Sequence, residues 1–504
     1  MTAKTRSPYR WPALLLALAP LALQAQTLRI GLAEDPDVLD PTLARTFVGR
    51  VVFAALCDKL LDIDEKLAIV PQLATAWEWS ADSKSLTMKL RPGVSFHDGE
   101  KFDAAAVKFN IERHKTMPGS NRRGELAPVS SVDVVDPLTV RLNLSAPFSP
   151  LLAQLADRAG MMVSPKAAQA AGDKFGAKPV CSGPFRFVER VAQDRIVLDR
   201  FAGYRDQAAI HFDRVIIRPT PNSTVRLVNL QTGQLDILQD LAPTDAQKVK
   251  GDAKLKLTTT PGLGYAGMNF NLGNGPKSDN PFAKDKRVRA ALEAAIDRGV
   301  LNQVAMDGLF VPNNQTESPA SPYFNPKFPV PARDVVRARA LLKEAGIERP
   351  VLELRVQNAP RDQQVAEVIQ SMAAEAGIEV KVMVGESNAN IAAMGAGEFM
   401  AHINNWSGRA DPDTNISIFL ACDSFQNWGK YCAPNFNSAL ERARAETDPG
   451  KRAAIYHEVV SIYSEDRPML FLYNVTWLFA HSAAMKGFIP VPDGLIRVQG
   501  MRLD

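Results

Sequence analysis

Residues 85–112 read SLTMKLRPGVSFHDGEKFDAAAVKFNIE, and this stretch decides how the rest of the chain is read. Leu86, Met88 and Leu90 alternate with polar residues, which predicts a half-buried strand. Arg91-Pro92-Gly93 and His97-Asp98-Gly99 then predict turns. Asp103 stands where a helix N-cap is expected, ahead of the apolar positions Ala105, Val107 and Phe109. The stretch carries no recurring catalytic group and no metal-ligand spacing. It reads as scaffold.

Nearly word for word, these residues resemble the signature segment of the family 5 extracellular solute-binding proteins, the dipeptide, oligopeptide and nickel receptors of bacterial ABC importers. Further matches follow in the family's order: Ser182-Gly183-Pro184-Phe185, then Val225-Arg226-Leu227 through Gly233-Gln234-Leu235-Asp236, then Arg287-Val288-Arg289 through Ile296-Asp297-Arg298. The resemblance implies an α/β, two-lobed periplasmic binding protein type II-like fold (cluster C) with an extra domain inserted in lobe one. It places lobe one at 26–58, 178–262 and 478–504, the inserted domain at 59–177, and lobe two at 263–477. It also implies a carrier and not an enzyme: a monomer without cofactor that captures a small solute by lobe closure and delivers it to an ABC permease. A peptide, a glutathione-like molecule or another organic anion is the expected solute. A periplasmic peptide or amide hydrolase is the rival reading, and no nucleophile–base pair for it is visible.

The N-terminus points to export on separate grounds. Lys4, Arg6 and Arg10 precede the apolar run Trp11 to Leu23, and Leu23-Gln24-Ala25 suits a signal-peptidase cut after Ala25. That run is shorter than the ~20 residues a permanent bilayer span needs. Losing the leader's three basic residues takes the net charge from +4 to +1. Such a chain is no electrostatic binder of nucleic acid. In an oxidising compartment four cysteines favour disulfides. Cys422 and Cys432 pair across a turn-rich stretch, while Cys57 and Cys181 are left as either a second bridge or buried thiols. No metal site is expected, because neither CxxC nor paired Cys/His spacing occurs.

Strands are predicted at Thr27–Leu32, Thr139–Leu144, Arg195–Arg200, Val215–Arg218 and Lys254–Thr259, with a helix containing Val51 to Leu61. Two helix–Gly–strand units are predicted, turning at Gly346 and Gly377. Gly262, Gly264 and Gly267 spell a dinucleotide fingerprint, but Met268-Asn269-Phe270-Asn271 extends where a phosphate-binding helix should begin. Those glycines are read instead as freedom for the backbone to rotate where the chain crosses between lobes.

The candidate ligand segment is Ala401 to Asn415, AHINNWSGRADPDTN. It runs as a strand to Trp406 and then breaks into small and polar residues, giving a flat apolar wall beside close backbone. By the resemblance this is the loop of lobe two that faces the cleft. In peptide-binding relatives an Asp a few residues after the Trp pairs with the peptide's α-amino group. Arg409 stands near that place here, and Asp411 is the substitute, with Ser407 and Asp413 beside them. An enclosed guanidinium calls for a negative partner, so the expected ligand presents an anionic group to Arg409. The resemblance adds Glu34 and Asp35 after the first strand, Tyr265 and Asn269 beside the lobe crossing, and Asn358 after a lobe-two strand.

Overall fold

The computed structural model describes Thr2 and residues 26–504, so the predicted leader and its cut lie outside the described residues. Local patterns become elements with few changes. Leu86, Met88 and Leu90 are buried along the strand Ser85–Leu90. Asp103 caps the helix Ala104–Thr116, its carboxylate accepting from the Ala106 N–H at 2.9 Å. Thr27–Leu32, Thr139–Leu144 and Arg195–Arg200 are strands over the predicted residues. Helices Val335–Glu344 and Pro360–Glu375 lead into strands Val351–Gln357 and Glu379–Gly385. Gly346 and Gly377 make those turns at φ of 73° and 87°, a region that side chains with a Cβ disfavour.

One helix is shorter than its pattern. It spans Phe47–Leu56, and Leu61 already opens the short strand Leu61–Ile63. The cause is tertiary: the Gly183 N–H takes the Leu56 carbonyl at 3.0 Å, which a continuing helix would need, and Cys57 is bridged to Cys181. The open question about those two cysteines is thereby closed. Cys422–Cys432 is bridged as expected.

An eleven-stranded sheet passes through both lobes. Strands Glu379–Gly385, Val351–Gln357 and Ala401–Trp406 lie on the second-lobe side. On the first-lobe side the order is Ile237–Leu238, Thr27–Leu32, Arg214–Pro219, Arg195–Arg200 and Phe185–Val191. Between the halves run two antiparallel strands, Leu255–Phe270 and Met469–Ser482, of 16 and 14 residues. At ~3.3 Å per residue they are roughly 50 Å long, more than twice a usual strand. Each therefore belongs to both halves. Leu255–Pro261 pairs with Thr476–Ser482 and Tyr265–Asn269 with Met469–Asn474, with a register break between Pro261 and Tyr265.

The strand expected to end at Thr259 thus continues through the glycines, and their role differs from the free rotation predicted for them. None of Gly262, Gly264 and Gly267 has a positive φ. A Cβ on Gly264 would run into the Trp406 carbonyl, and one on Gly267 would lie 2.7 Å from the Met469 sulfur. These positions are glycine because neighbouring chain lies against them.

A separate four-stranded sheet, Ala74–Trp79, Ser85–Leu90, Thr139–Leu144 and Val129–Asp136 in spatial order, carries the helix Ala104–Thr116 on one face. Its own core includes Phe96, Val107, Ile111 and Leu142. The chain returns to the large sheet beside Cys181, whose carbonyl accepts from the His97 N–H at 2.8 Å.

The bridges close loops of very different length, with sequence separations of 124 and 10 residues. Chain entropy then assigns about 5 kcal/mol to Cys57–Cys181 and about 3 kcal/mol to Cys422–Cys432. Urea unfolding of the two Cys→Ser double variants should rank them in that order. The reverse ranking would refute loop closure as the source of the stabilisation.

Candidate functional site

The lobes enclose a cleft of about 550 Å³. Its first-lobe wall begins in the loop after the strand Thr27–Leu32, where Asp37 accepts from the Arg45 N–H at 2.8 Å and the Thr46 hydroxyl at 2.9 Å. Thr46 in turn caps the helix Phe47–Leu56, which presents Phe47 and Arg50. The opposite wall is built by Arg355 and Gln357, the helix Ser387–Gly395, the strand Ala401–Trp406, and Phe425, Gln426 and Trp428. The last three ride on the loop that Cys422–Cys432 ties together.

Of the residues predicted from sequence, Glu34, Trp406, Ser407 and Arg409 line this cleft together. Arg409 is only 7 % exposed and already has an anionic partner. Its Nε lies 2.7 Å from an Asp157 oxygen, and its guanidinium covers the Trp406 ring at 4.5 Å from the centroid. Asn415 holds the segment in shape. Its side-chain oxygen accepts from the Trp406 indole at 2.9 Å and the Arg409 N–H at 2.8 Å, and its amide donates to Glu317 at 2.8 Å.

The other predicted residues are not on the wall. Asp411 begins the helix Pro412–Leu420 and takes a two-pronged contact from Arg452 at 2.7 and 2.8 Å, buried on both sides. The expected substitute for an amine-binding Asp is therefore committed to a guanidinium. Asp413 pairs with Arg444 at 2.7 Å. Tyr265 is fully buried, its hydroxyl donating to the Asn415 carbonyl at 2.6 Å. Asn269 is buried within the strand Leu255–Phe270, Asp35 pairs with Arg190 at 2.9 Å, and exposed Asn358 donates to Glu386 at 2.8 Å.

Sequence reading missed the residues around Asp157. Arg50 Nη2 lies 2.9 Å from it, and Arg158 Nε lies 3.7 Å away. One carboxylate thus gathers guanidiniums from the helix Phe47–Leu56, from its own neighbour Arg158 and from the loop after the strand Ala401–Trp406. The available signal was Arg50 itself, the one charged residue in the helix FVGRVVFAAL. Phe425 and Trp428 were legible only as part of a turn.

Burial raises the Asp157 carboxyl, but Arg409, Arg50 and Arg158 outweigh it and hold it well below the ordinary range. Arg409 is pushed down to about 10 by burial, against the pull of Asp157. His402 is pushed down to about 4 by burial, so it is neutral at physiological pH. Glu34 is pushed up to about 7 by burial, then by Asp37 and Asp240. Asn404, Asn390 and His402 line this cleft, and each has a buried polar atom without a partner. Such atoms are costly unless something in the cleft satisfies them.

Two hinged α/β halves around a polar, ligand-sized cleft define a solute-binding protein. The model for "Bacterial extracellular solute-binding proteins, family 5 Middle" matches residues 68–427, and the chain belongs to that family. It is 29 % identical over 470 residues to the glutathione-binding protein GsiB of Pectobacterium atrosepticum, covering 91 % of this chain and 90 % of that one. GsiB of Escherichia coli O157:H7 is 28 % identical over 492 residues, covering 94 % of both. Among solved structures, the periplasmic binding protein AgaA of A. tumefaciens R10 in complex with agropinic acid superposes with TM-score 0.85 at 25 % identity, covering 95 % of this chain and 99 % of that one. The Helicobacter pylori protein DppA with the peptide STSA gives the same score and identity over 95 % and 98 %.

Two measurements check these assignments. Arg452→Met strands a buried carboxylate and should cost about 3–5 kcal/mol in urea melts; parental stability would deny the Asp411 pair its structural role. Glu34 keeps its proton in the folded chain between its ordinary 4.5 and about 7, so its contribution to stability declines as pH rises through that window. Glu34→Gln should match the parent near pH 4 and become progressively more stable than it by pH 8. A gap that does not change with pH contradicts the assignment.

Proposed function

We propose that the chain is the periplasmic receptor of an ABC importer and captures a small peptide or peptide-like solute by lobe closure. The carrying observation is that residues of both lobes wall one cleft, with the Arg409–Asp157 ion pair crossing it. A ligand stabilises a closed arrangement only by touching both sides at once, and this cleft offers contacts on both. Glu34 and Arg50 would meet the solute from lobe one, and Trp406, Ser407 and Arg409 from lobe two. Lobe one is taken as 26–58, 178–262 and 478–504, the inserted domain as 59–177, and lobe two as 263–477.

The relatives support the solute class. Proteins named for glutathione binding, and one bound to agropinic acid, handle solutes bearing carboxylates, and the floor of this cleft is rich in guanidinium. The permease and its ATPase are partners the importer reading requires. The protein acts as a monomer, exported by a leader cut after Ala25, and releases its solute unaltered.

A thermal-shift screen of the mature protein over dipeptides, tripeptides, glutathione and organic acids tests this. At a hundred times Kd, binding should add about 2.7 kcal/mol to stability. Small-angle scattering should show the halves drawing together with the stabilising solute, and mass spectrometry should return that solute unchanged. A solute that emerges cleaved would replace the receptor by a hydrolase. Unchanged affinity in Arg409→Ala would remove that residue from the site.

A further inference from the structure

The charges beneath the cleft do not balance. Arg50, Arg122, Arg158 and Arg409 are buried, at 3–7 % exposure. Among the described residues this group shares two carboxylates. Asp157 serves Arg50, Arg158 and Arg409, and Glu125 pairs with Arg122. Guanidiniums keep their protons in proteins, so an excess of two positive charges stays buried there. Burial, then Arg122, already presses on the charged form of Arg158. Hydrogen bonding leaves the same deficit: the Nε of Arg158, a cleft-lining residue, donates to nothing, and neither does the Nε of Arg122 behind it.

Ser407 shows where the deficit opens. Its hydroxyl oxygen accepts from Arg50 Nη1 at 3.5 Å and from Arg409 Nη1 at 3.4 Å. With its lone pairs engaged by two cations, the hydroxyl is left to donate its own proton, and it lines the cleft. Two guanidinium edges and a hydroxyl donor converging on one spot form an anion seat.

We infer that the solute enters with an end bearing two negative charges, either two carboxylates or one dianionic headgroup, and that this end seats on Arg50, Arg409 and Ser407 above the guanidinium group. This rests on the receptor reading and adds the charge of the cargo to it. One charge would leave the floor still positive, and a neutral end would leave it as it is.

Four probes discriminate by calorimetry on the mature protein: alanyl-alanyl-aspartate, whose last residue carries two carboxylates, alanyl-alanyl-asparagine, glycerol 3-phosphate and trialanine. At least one of alanyl-alanyl-aspartate and glycerol 3-phosphate should bind about tenfold or more tighter than trialanine, one charge-assisted contact being worth about that much. Which of them does so separates carboxylates from a dianionic headgroup. The asparagine peptide, which has one carboxylate at that end, should bind about tenfold more weakly than the aspartate peptide if carboxylates are the source. Ser407→Ala, which leaves every charge in place, should weaken the preferred probe several-fold. Arg122→Gln touches no cleft atom and should weaken the two-charge probe more than trialanine, a split that mere misfolding would not produce. Trialanine binding as tightly as both anionic probes, with the lobes closing in scattering, overturns this inference and leaves the receptor intact. Failure of all four to bind or close the lobes overturns the receptor reading and this inference together.

Discussion

Asp157 is the point on which the cleft depends. A carboxylate buried this deeply is tolerable only when paired, and its partners are its neighbour Arg158 and two residues from distant stretches of chain, Arg50 and Arg409. The pairing is mutual, because without Asp157 those guanidiniums would face one another unscreened. Two neutral contacts cross the same boundary, Gln154 to the Thr414 hydroxyl at 2.7 Å and the Ser149 N–H to the Arg444 carbonyl at 2.8 Å. Across the cleft the walls therefore meet through polar groups that open to water at modest cost, while an apolar core runs on beneath the crossing strands from Leu227 and Leu255 to Val288 and Leu354.

The second constraint is mechanical. Two strands more than twice the ordinary length tie the halves into one sheet, and the longest interruption of their ladder marks where it is least tightly paired. That place is the register break between Pro261 and Tyr265, where backbone pairs without a regular ladder. The glycines there act by their small size. Trp406 and Ser407, both on the cleft wall, lie directly against Gly264, so the crossing and the ligand loop are in contact. Rotation at the break would carry the ligand loop with it.

Within the loop, chemistry is divided between holding and binding. Asp411, Asp413 and Asn415 hold: each is saturated by partners inside the second half. Trp406, Ser407 and Arg409 face the cleft. The division follows position along the segment: residues 406–409 leave the strand at the cleft, and from Asp411 onward the helix Pro412–Leu420 carries the chain off that wall. An acid close to the expected ligand position in sequence is thereby turned to Arg452.

Local physics carried the elements, their order and the two bridged cysteine pairs as candidates, because alternation, caps and turn glycines act over a few residues. The family resemblance carried the two-lobed plan and pointed to the segment whose Trp406, Ser407 and Arg409 line the cleft. Glu34, Trp406, Ser407 and Arg409 were legible as cleft residues; Asp157, Arg50 and Arg158 were not, since an ion group drawn from residues 50, 157 and 409 leaves no local pattern. Tertiary structure alone decided which acid met which base, where the helix after Phe47 stopped, and that a phosphate-like glycine motif was a packing seam. The physical reason is one of range: hydrogen bonds and side-chain spacing along a segment are written in neighbouring residues, whereas burial and Coulomb pairing depend on what the fold brings alongside.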